Sequence, residues 1–306
     1  MRFVFILNPV AGKGTNQNKI INEVNGYFSQ NNGVYKIIQT KFSGEAKQIA
    51  NEEAKKGDEV CIFACGGEGT SFEVVNGIVG YDNACLGVIP CGSANDFLKF
   101  FNNRSAFCDI ADQAKGGKIK MDLIKAGDCY CLNGCSVGMD AMVARDMVLF
   151  KRLPFVKGSL AYNLAIVKNF LSKIGVTMNI KVDDENLGKN TVLFALIANA
   201  PFYGGGYIGA PNAVPYDCKL NFTMVDKISR FKIPSFLSHY KKGTQGSLKI
   251  CKMKECSSLH ITADSALPVN LDGEIITTND IKFEIAPQAL NFWLPESLAN
   301  KLLTKV

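Results

Sequence analysis

The sequence predicts an α/β plus β fold: an N-terminal α/β lobe on a parallel sheet, then a mainly antiparallel β lobe. Strand-like apolar runs alternate with helical segments over roughly the first 100 residues, β-rich runs dominate from Lys120 onward, and glycine-rich segments directly follow three early strands. The chain has 306 residues, enough for two domains that each bury a core.

The first lobe is predicted from short apolar strands that are separated by segments with helical spacing. The strands are predicted at residues 3–7, 35–39, 60–64 and 85–89, and the helices at 15–30, 44–56 and 70–79. Strand–helix alternation with short links is typical of a parallel sheet covered on both faces.

The second lobe is predicted from β-rich runs bounded by turn residues. These strands are predicted at residues 121–125, 129–133, 176–182, 191–199, 220–225, 258–262 and 282–285. A single long helix, at about residues 158–174, interrupts them. The pattern favours a mainly antiparallel arrangement.

Composition narrows the class of protein. The 11 cysteines include no CxxC pair, which favours reduced, buried thiols in a cytoplasmic protein over a zinc site. Two histidines are too few for a His-rich metal site. The net charge of +6 is no reason to expect nucleic acid, although it permits contact with an anionic surface. No apolar run predicts a membrane span or a signal peptide.

Three glycine-rich segments follow predicted strands directly, at residues 8–14, 66–70 and 90–96. The carboxyl ends of parallel strands meet at one edge of a sheet, where ligands bind. Glycine lets the backbone approach a ligand closely, and helices that begin after such loops direct N–H groups toward an anion. The three segments therefore predict a polyphosphate site. Thr40 ends a fourth strand at the same edge.

Two common nucleotide motifs do not fit. A Walker A loop needs a glycine five residues before Gly12-Lys13, and that position is Leu7. The chain has no GxGxxG segment, which disfavours a standard dinucleotide fold.

At these residues the chain resembles the diacylglycerol kinase catalytic-domain family, which includes bacterial soluble lipid kinases and sphingosine kinases. The family's NPxxGKG-like, GGDGT and PxGTxND loops have counterparts here in order. Further matches are Leu132-Asn133-Gly134, Gly138-Met139-Asp140-Ala141, Tyr203-Gly204-Gly205-Gly206, Ala210-Pro211 and Asp272-Gly273-Glu274. The resemblance covers nearly the whole chain.

The resemblance implies a nucleotide lobe like that of NAD kinases and a β-sandwich-like lipid lobe. The implied nucleotide-binding lobe spans residues 1–122 and is rejoined by 287–306, with residues 289–294 as its returning strand. Residues 123–286 form the implied lipid-binding lobe.

The family pattern also implies site residues. The implied ATP contacts are Asn8, Pro9, Val10, Ala11, Gly12, Lys13, Thr40, Gly66, Gly67, Glu68, Gly69, Thr70, Ser93 and Asp96. A structural metal is implied at Val214, Asp217 and Lys219. The chain departs from the family at two positions. Glu68 stands where the family has Asp. Cys218 replaces a glycine, which puts the metal site in question if the turn needs a positive φ.

Phosphoryl transfer needs positioning, charge neutralisation and a carboxylate that takes the proton of the acceptor hydroxyl. Glu274 is the candidate base, with Asp272 as its neighbour and possible substitute. Mg²⁺ on the ATP phosphates would be aided by Glu68, Asp96 and Asp122. The alternatives are a surface hairpin turn at Asp272-Gly273 and simple helix capping by Asn95-Asp96.

Two segments suit a lipid substrate. In the long helix, Leu160, Leu164, Val167, Leu171 and Ile174 share one stripe, and Tyr162, Ile166 and Phe170 a second, which fits either an acyl-chain cleft or a core helix. Residues 227–254 contain eight Lys or Arg, no acidic residue, and interleaved Phe231, Phe236, Leu237 and Tyr240. They predict peripheral docking on an anionic membrane; a solvated basic face is the alternative.

The function expected from the sequence is an ATP-dependent kinase that phosphorylates a lipid hydroxyl. An NAD kinase-like enzyme and a regulatory protein that binds nucleotide without turnover are the two rivals, the second motivated by Glu68 and Cys218. The sequence does not specify the lipid, and it leaves a homodimer open.

Overall fold

The computed structural model describes residues 1–14, 17–91, 95–151, 153, 159–172 and 174–303. The chain divides into two compact units. Unit 1 comprises Met1–Leu123 and Pro287–Val306, and unit 2 comprises Ile124–Ala286.

Unit 1 is built on parallel strands joined by helices. The parallel strands are β1 (Arg2–Leu7), β2 (Val34–Gln39), β3 (Val60–Gly66) and β4 (Ala84–Pro90). A fifth strand, β5 (Gly117–Ala126), begins in unit 1 and ends in unit 2. The helices are α1 (Gln17–Gln30), α2 (Glu45–Ala54), α3 (Glu68–Ile78) and α4 (Ile110–Ala114). Strand β1 lies between β2 and β3, and β4 pairs with β3, all in parallel.

Strands β1, β3 and β4 form because their apolar residues are buried on both faces, as a sheet covered by helices requires, whereas the edge strand β2 is partly exposed. Every residue of β3 and β4 is buried. Phe5 and Phe63 stack across β1 and β3 with ring centroids 4.8 Å apart. This rigid sheet fixes the positions of the loops that follow its strands.

Unit 2 is mainly antiparallel. Its strands are β6 (Cys129–Cys131), β7 (Gly134–Gly138), β8 (Val176–Val182), β9 (Glu185–Ala198), β10 (Phe202–Tyr203), β11 (Tyr207–Ile208), β12 (Leu220–Asp226), β13 (Cys251–Cys256) and β14 (Ser258–Leu271). Its helices are α5 (Met139–Lys151), α6 (Ser159–Leu171) and α7 (Ile233–Lys242). Strand β7 pairs antiparallel with both β9 and β14.

A long strand, β15 (Glu274–Leu294), carries the chain from unit 2 back to unit 1, where α8 (Glu296–Leu303) follows it. Its first part pairs antiparallel with β14, and near its end Phe292 pairs in parallel with Leu86 of β4.

Three sequence expectations need correction. The strand expected at residues 129–133 ends at Cys131, because the amides that follow it bind a carboxylate of the β14–β15 turn. Unit 2 has more than the single helix that the sequence predicts, since helices α5 and α7, like strand β13, lie outside the predicted elements. The long helix is shorter than residues 158–174, since α6 covers Ser159–Leu171.

Candidate active site

The glycine-rich segments after β1, β3 and β4 meet at the carboxyl edge of the unit 1 sheet. Backbone hydrogen bonds join them: the Asn8 amide donates to the Cys65 carbonyl at 3.1 Å, and the Cys91 amide donates to the Gly66 carbonyl at 3.0 Å. Thr40 is buried at the same edge, and its amide donates to the Leu7 carbonyl at 2.9 Å. The parallel topology therefore brings together the segments that the sequence singles out.

Side chains at this edge bind the loops to one another. Asn8 donates from Nδ2 to Thr70 Oγ1 at 3.1 Å, and its Oδ1 accepts the Val10 amide at 3.1 Å. Asn95 donates from Nδ2 to the Gly66 carbonyl at 3.2 Å. These side-chain amide and hydroxyl groups bind the loops themselves. Backbone N–H groups are therefore the donors through which this edge would bind an anion.

The two glycines before α3 have different requirements. A Cβ at Gly66 would lie 2.3 Å from Thr70 Oγ1, so only glycine fits there without displacement. A Cβ at Gly67 would meet no atom of the described chain within 4 Å, and no side chain caps α3 at this residue. The first turn of α3 thus begins at a glycine without a capping side chain, at the edge where a helix N-terminus favours an anion.

The first loop forms a 3-10 turn over Ala11–Gly14, with Gly12 at φ 59°, a conformation that favours glycine. Pro9 and Val10 lie on the surface beside it. The backbone of Lys13 belongs to this turn, but its side chain lies outside the described part of the molecule, as does all of Ser93.

Glu68, the acid that replaces the family Asp, bridges two loops. Its Oε1 accepts the amides of Asn95 at 3.2 Å and Asp96 at 3.0 Å. Burial raises the pKa of Glu68, and the two amide hydrogen bonds oppose that rise. The carboxylate thus fixes the start of the 3-10 segment Asp96–Phe101.

The other two acids that the sequence predicts near the ATP phosphates, Asp96 and Asp122, both contact groups of the protein. Asp96 is buried and forms an ion pair with Lys99, with Oδ1 and Nζ 2.5 Å apart. Asp122 is fully buried, and its Oδ1 accepts the Gln288 amide at 2.8 Å. Both carboxylates therefore help to order the backbone of unit 1.

The acidic turn of unit 2 connects β14 to β15. Leu271 pairs with Glu274, and the two residues between them, Asp272 and Gly273, have φ values of 49° and 99°. Two consecutive positive φ values are typical of a tight hairpin turn. The backbone of this motif therefore forms a hairpin turn, which the sequence analysis gave as the alternative to a catalytic role.

The two carboxylates of this turn lie in opposite environments. Asp272 is buried, and its oxygens accept the amides of Leu132, Asn133 and Gly134, the last at 2.8 Å. Glu274 is exposed. Asp272 therefore anchors the turn to the chain before β7, whereas Glu274 is accessible to a substrate.

The turn with the expected metal ligands keeps its shape despite Cys218, which adopts φ 62°. The Val214 carbonyl accepts the Tyr216 amide at 2.9 Å, and Asp217 Oδ1 accepts the Lys219 amide at 3.0 Å. No cluster of three or more His, Cys, Asp or Glu suited to a metal occurs among the described residues. The Val214 carbonyl and the Asp217 carboxylate therefore already accept backbone amides of this turn.

The basic segment 227–254 is only partly as expected. Phe236 and Tyr240 lie on the buried side of α7, packed with Phe194, so they belong to the core. Phe231 is 84% exposed, and Leu237 is also exposed. A helix of ten residues buries every third or fourth side chain, which the composition of the segment does not reveal.

The stripe on α6 lies on the surface. The exposed members are Leu160, Leu164, Val167 and Leu171, whereas Ile174 is buried. In the second stripe Phe170 is half-buried, and the side chains of Tyr162 and Ile166 lie outside the described part. The core side of α6 is formed by Ala161, Ala165 and Asn169. None of the described helices is long and apolar enough to cross a membrane.

Sequence reasoning missed three polar residues behind the acidic turn: Ser136, Tyr203 and Asn270. Tyr203 stands in a segment that carries the family resemblance, and Asn270 lies two residues before Asp272. These two positions in the sequence were the signals from which Tyr203 and Asn270 could have been identified.

Comparison with known proteins agrees with the motifs. The family model "Diacylglycerol kinase catalytic domain" matches residues 2–126, and the model "YegS C-terminal NAD kinase beta sandwich-like domain" matches residues 133–294. The chain belongs to the diacylglycerol kinase catalytic-domain family. A Staphylococcus haemolyticus protein named "Putative lipid kinase SH2167" is 30% identical over 248 residues, which is 80% of this chain and 79% of that protein.

Solved structures share the fold of this family member. A crystal structure described as a putative diacylglycerol kinase from Bacillus anthracis has a TM-score of 0.73 at 22% identity and covers 97% of this chain and 98% of its own. An NAD kinase from Archaeoglobus fulgidus, solved in complex with ATP, has a TM-score of 0.50 at 13% identity and covers 100% of this chain and 98% of its own. The two-domain architecture therefore has neighbours among NAD kinases.

Proposed function

We propose that this kinase transfers the γ-phosphate of ATP to the hydroxyl group of a lipid. The observation that carries the proposal is the set of glycine-rich loops at one edge of the unit 1 sheet, bound together by Asn8, Thr70 and Glu68. Side-chain hydrogen bonds keep these loops in place, and the first amides of α3 would bind phosphate oxygens. Family membership supports the reaction type.

The nucleotide half of the site would rely on backbone donors. The loop over Ala11–Gly14 and the first turn of α3 would bind the phosphates, with Lys13 as the cation beside them. Mg²⁺, when bound to ATP, would supply charge neutralisation of the β and γ oxygens. Asp217, with the carbonyls of Val214 and Lys219, would hold the structural metal in unit 2.

The acceptor half would rely on Glu274. As the lipid oxygen bonds to the γ-phosphorus, the bond from that phosphorus to the β–γ bridging oxygen breaks, and Glu274 takes the proton of the hydroxyl. Asp272 is less suited to this role because its oxygens accept three backbone amides. We infer that unit 2 is the β-sandwich-like lobe that binds the lipid.

Phosphate transfer from radiolabelled ATP to a panel of acceptors tests the proposal. The panel contains diacylglycerol, phosphatidylglycerol, sphingosine, ceramide and a polyprenol in mixed micelles, and NAD in solution. We expect label on at least one lipid and none on NAD. Label on NAD alone would identify an NAD kinase, and ATP binding without transfer to any acceptor would favour the regulatory alternative.

A matched pair of variants tests the base. Glu274→Gln keeps the size of the side chain but removes the basic oxygen, so we expect turnover to fall by roughly 10² to 10⁴-fold. Glu284→Gln changes a half-buried carboxylate of the same strand, which pairs with Lys282, and is expected to retain full turnover. Full activity of Glu274→Gln would show that the base lies elsewhere.

We also propose that the enzyme reaches its lipid by docking on an anionic membrane. The docking face comprises the exposed stripe of α6 and Phe231, and its basic residues are Lys227, Arg230, Lys232, Lys241 and Lys242. The Arg230 guanidinium lies 5.9 Å from the centroid of the Phe170 ring, so the turn that bears Phe231 contacts α6. Apolar side chains beside basic ones suit a bilayer that carries negative charge.

Vesicle sedimentation tests the docking face. In vesicles with 30% anionic lipid, the triple variant K232E/K241E/K242E should bind roughly 100-fold more weakly than the natural chain, at about 1 kcal/mol per residue. The control K181E/K189E/K282E makes the same charge change on strands β8, β9 and β15, and should bind normally. Equal binding of the natural chain and the first variant would exclude this face.

A further inference from the structure

Behind the acidic turn of unit 2, three polar side chains form a continuous hydrogen-bonded chain. Ser136 on β7 and Asn270 on β14 are register partners in the antiparallel pair. The Tyr203 hydroxyl from β10 bonds to both, at 2.7 Å from Ser136 Oγ and 2.8 Å from Asn270 Nδ2.

The chain ends on the turn itself. Asn270 Oδ1 accepts the amide of Gly273 at 2.7 Å, so one face of the Asn270 amide binds Tyr203 and the other binds the turn. Gly273 is the residue directly before Glu274. The orientation of the Asn270 amide therefore influences the peptide from which the Glu274 side chain projects.

The direction of two of these hydrogen bonds follows from the chemistry of the groups. The Gly273 backbone amide can only donate, so it donates to Asn270 Oδ1, and Asn270 Nδ2 donates to the Tyr203 oxygen. Between Tyr203 and Ser136 either hydroxyl can be the donor. Burial, and then the charge of Asp140, raise the pKa of Tyr203, so the hydroxyl keeps its hydrogen. The Asn270 orientation is thereby fixed, with nitrogen toward Tyr203 and oxygen toward Gly273.

The surrounding packing leaves room for this arrangement. A Cβ at Gly134 would lie 3.2 Å from Tyr203 Cδ2, so the absence of a side chain at Gly134 lets the ring reach the strand pair. Gly134 also donates its amide to Asp272. The segment at the start of β7 thus holds the turn from one side, and the Tyr203 hydroxyl holds it from the other.

We propose that Ser136, Tyr203 and Asn270 are positioning residues that fix the Asp272–Gly273 turn and hence the Glu274 carboxylate. The consequence for turnover rests on the proposed role of Glu274 as the base. Without these hydrogen bonds the turn would still expose Glu274, but its carboxylate would occupy a range of positions. The fraction of molecules with the carboxylate in a reactive position would then fall.

Tyr203→Phe tests the proposal by removing one oxygen atom. Amide exchange, measured by mass spectrometry on peptides that cover residues 270–276, should accelerate at least 10-fold in this variant. The kcat for the best lipid should fall about 10-fold with KM within 2-fold, because lipid binding does not need the turn to be fixed. Asn270→Ala removes the acceptor of the Gly273 amide and should accelerate exchange at least as much.

Tyr35→Phe is the control, because it makes the same chemical change in unit 1, where the Tyr35 hydroxyl bonds to Asn25 Oδ1 at 2.9 Å and not to the network. It should leave both exchange and kcat unchanged. Unchanged exchange in Tyr203→Phe, or acceleration equal to that across all of unit 2, would overturn the positioning role. If the natural chain phosphorylates no lipid, the proposed function fails and the exchange measurement alone decides this inference.

Discussion

The two ends of the unit 1 sheet use acidic side chains in opposite ways. Near the strand starts, Glu53 is surrounded by cations: Lys56 Nζ lies 2.6 Å from its carboxylate, Lys36 Nζ lies 3.1 Å away, and Arg2 binds the same group. At the carboxyl edge, Glu68 accepts two backbone amides instead. Both arrangements favour the ionised acid, but only the cations around Glu53 outweigh the effect of burial.

The pKa shifts express this difference. Burial alone would raise the pKa of Glu53, but hydrogen bonds from Lys56, Lys36 and Arg2 lower it to about 2. For Glu68 the effect of burial prevails, and the pKa is raised. The comparison teaches that one end of the sheet stabilises the fold, whereas the other retains an acid that costs stability where ligand phosphates are proposed to bind.

The largest expected effect comes from Glu53→Gln. Because a pKa unit corresponds to about 1.4 kcal/mol, loss of the carboxylate should lower the free energy of unfolding by about 3 kcal/mol at pH 7. The Glu53 contribution is present above the unfolded pKa near 4.5 and disappears as pH falls toward 2. Urea titrations from pH 2 to pH 7 should show the two proteins converging at the acid end, and a constant difference across that range would contradict the prediction.

Gly66→Ala should have the next largest effect. The added methyl group would lie 2.3 Å from Thr70 Oγ1, and relieving that clash should cost about 2 kcal/mol of unfolding free energy and weaken ATP binding. Gly67→Ala is the matched change, since its methyl group enters open space at an ordinary φ. It should leave the melting temperature unchanged while weakening ATP binding in calorimetry. Equal melting temperatures for both variants would contradict the packing argument.

Glu68→Gln should produce a smaller effect of opposite sign from Glu53→Gln. A carboxylate with a raised pKa destabilises the folded state once pH exceeds its folded pKa, and the amide oxygen of Gln can still accept from Asn95 and Asp96. The variant should gain on the order of 0.5 kcal/mol at pH 7 and none where both proteins carry a neutral group. Denaturant midpoints at pH 4 and pH 7 measure the gain, and destabilisation at pH 7 would remove the contrast between the two ends.

The sequence by itself determined the parallel strands β1 to β4 of unit 1 and the common edge at which its glycine-rich loops lie. Runs such as residues 60–64 are apolar throughout because both faces of the sheet are covered, and strands that run in parallel must end at one edge. The family followed from the same motifs, because glycine, asparagine and threonine at those spacings serve the backbone geometry of the loops.

Only the tertiary structure decided which of two similar side chains is buried. Asp272 and Glu274 are both acids in one motif. Only Asp272 is buried, where its carboxylate accepts the amide of Gly134, 138 residues earlier in the chain. Phe231 and Phe236 are both aromatic residues in one basic segment, and α7 turns only Phe236 into the core. Such outcomes depend on contacts between distant segments, which local composition and spacing do not encode.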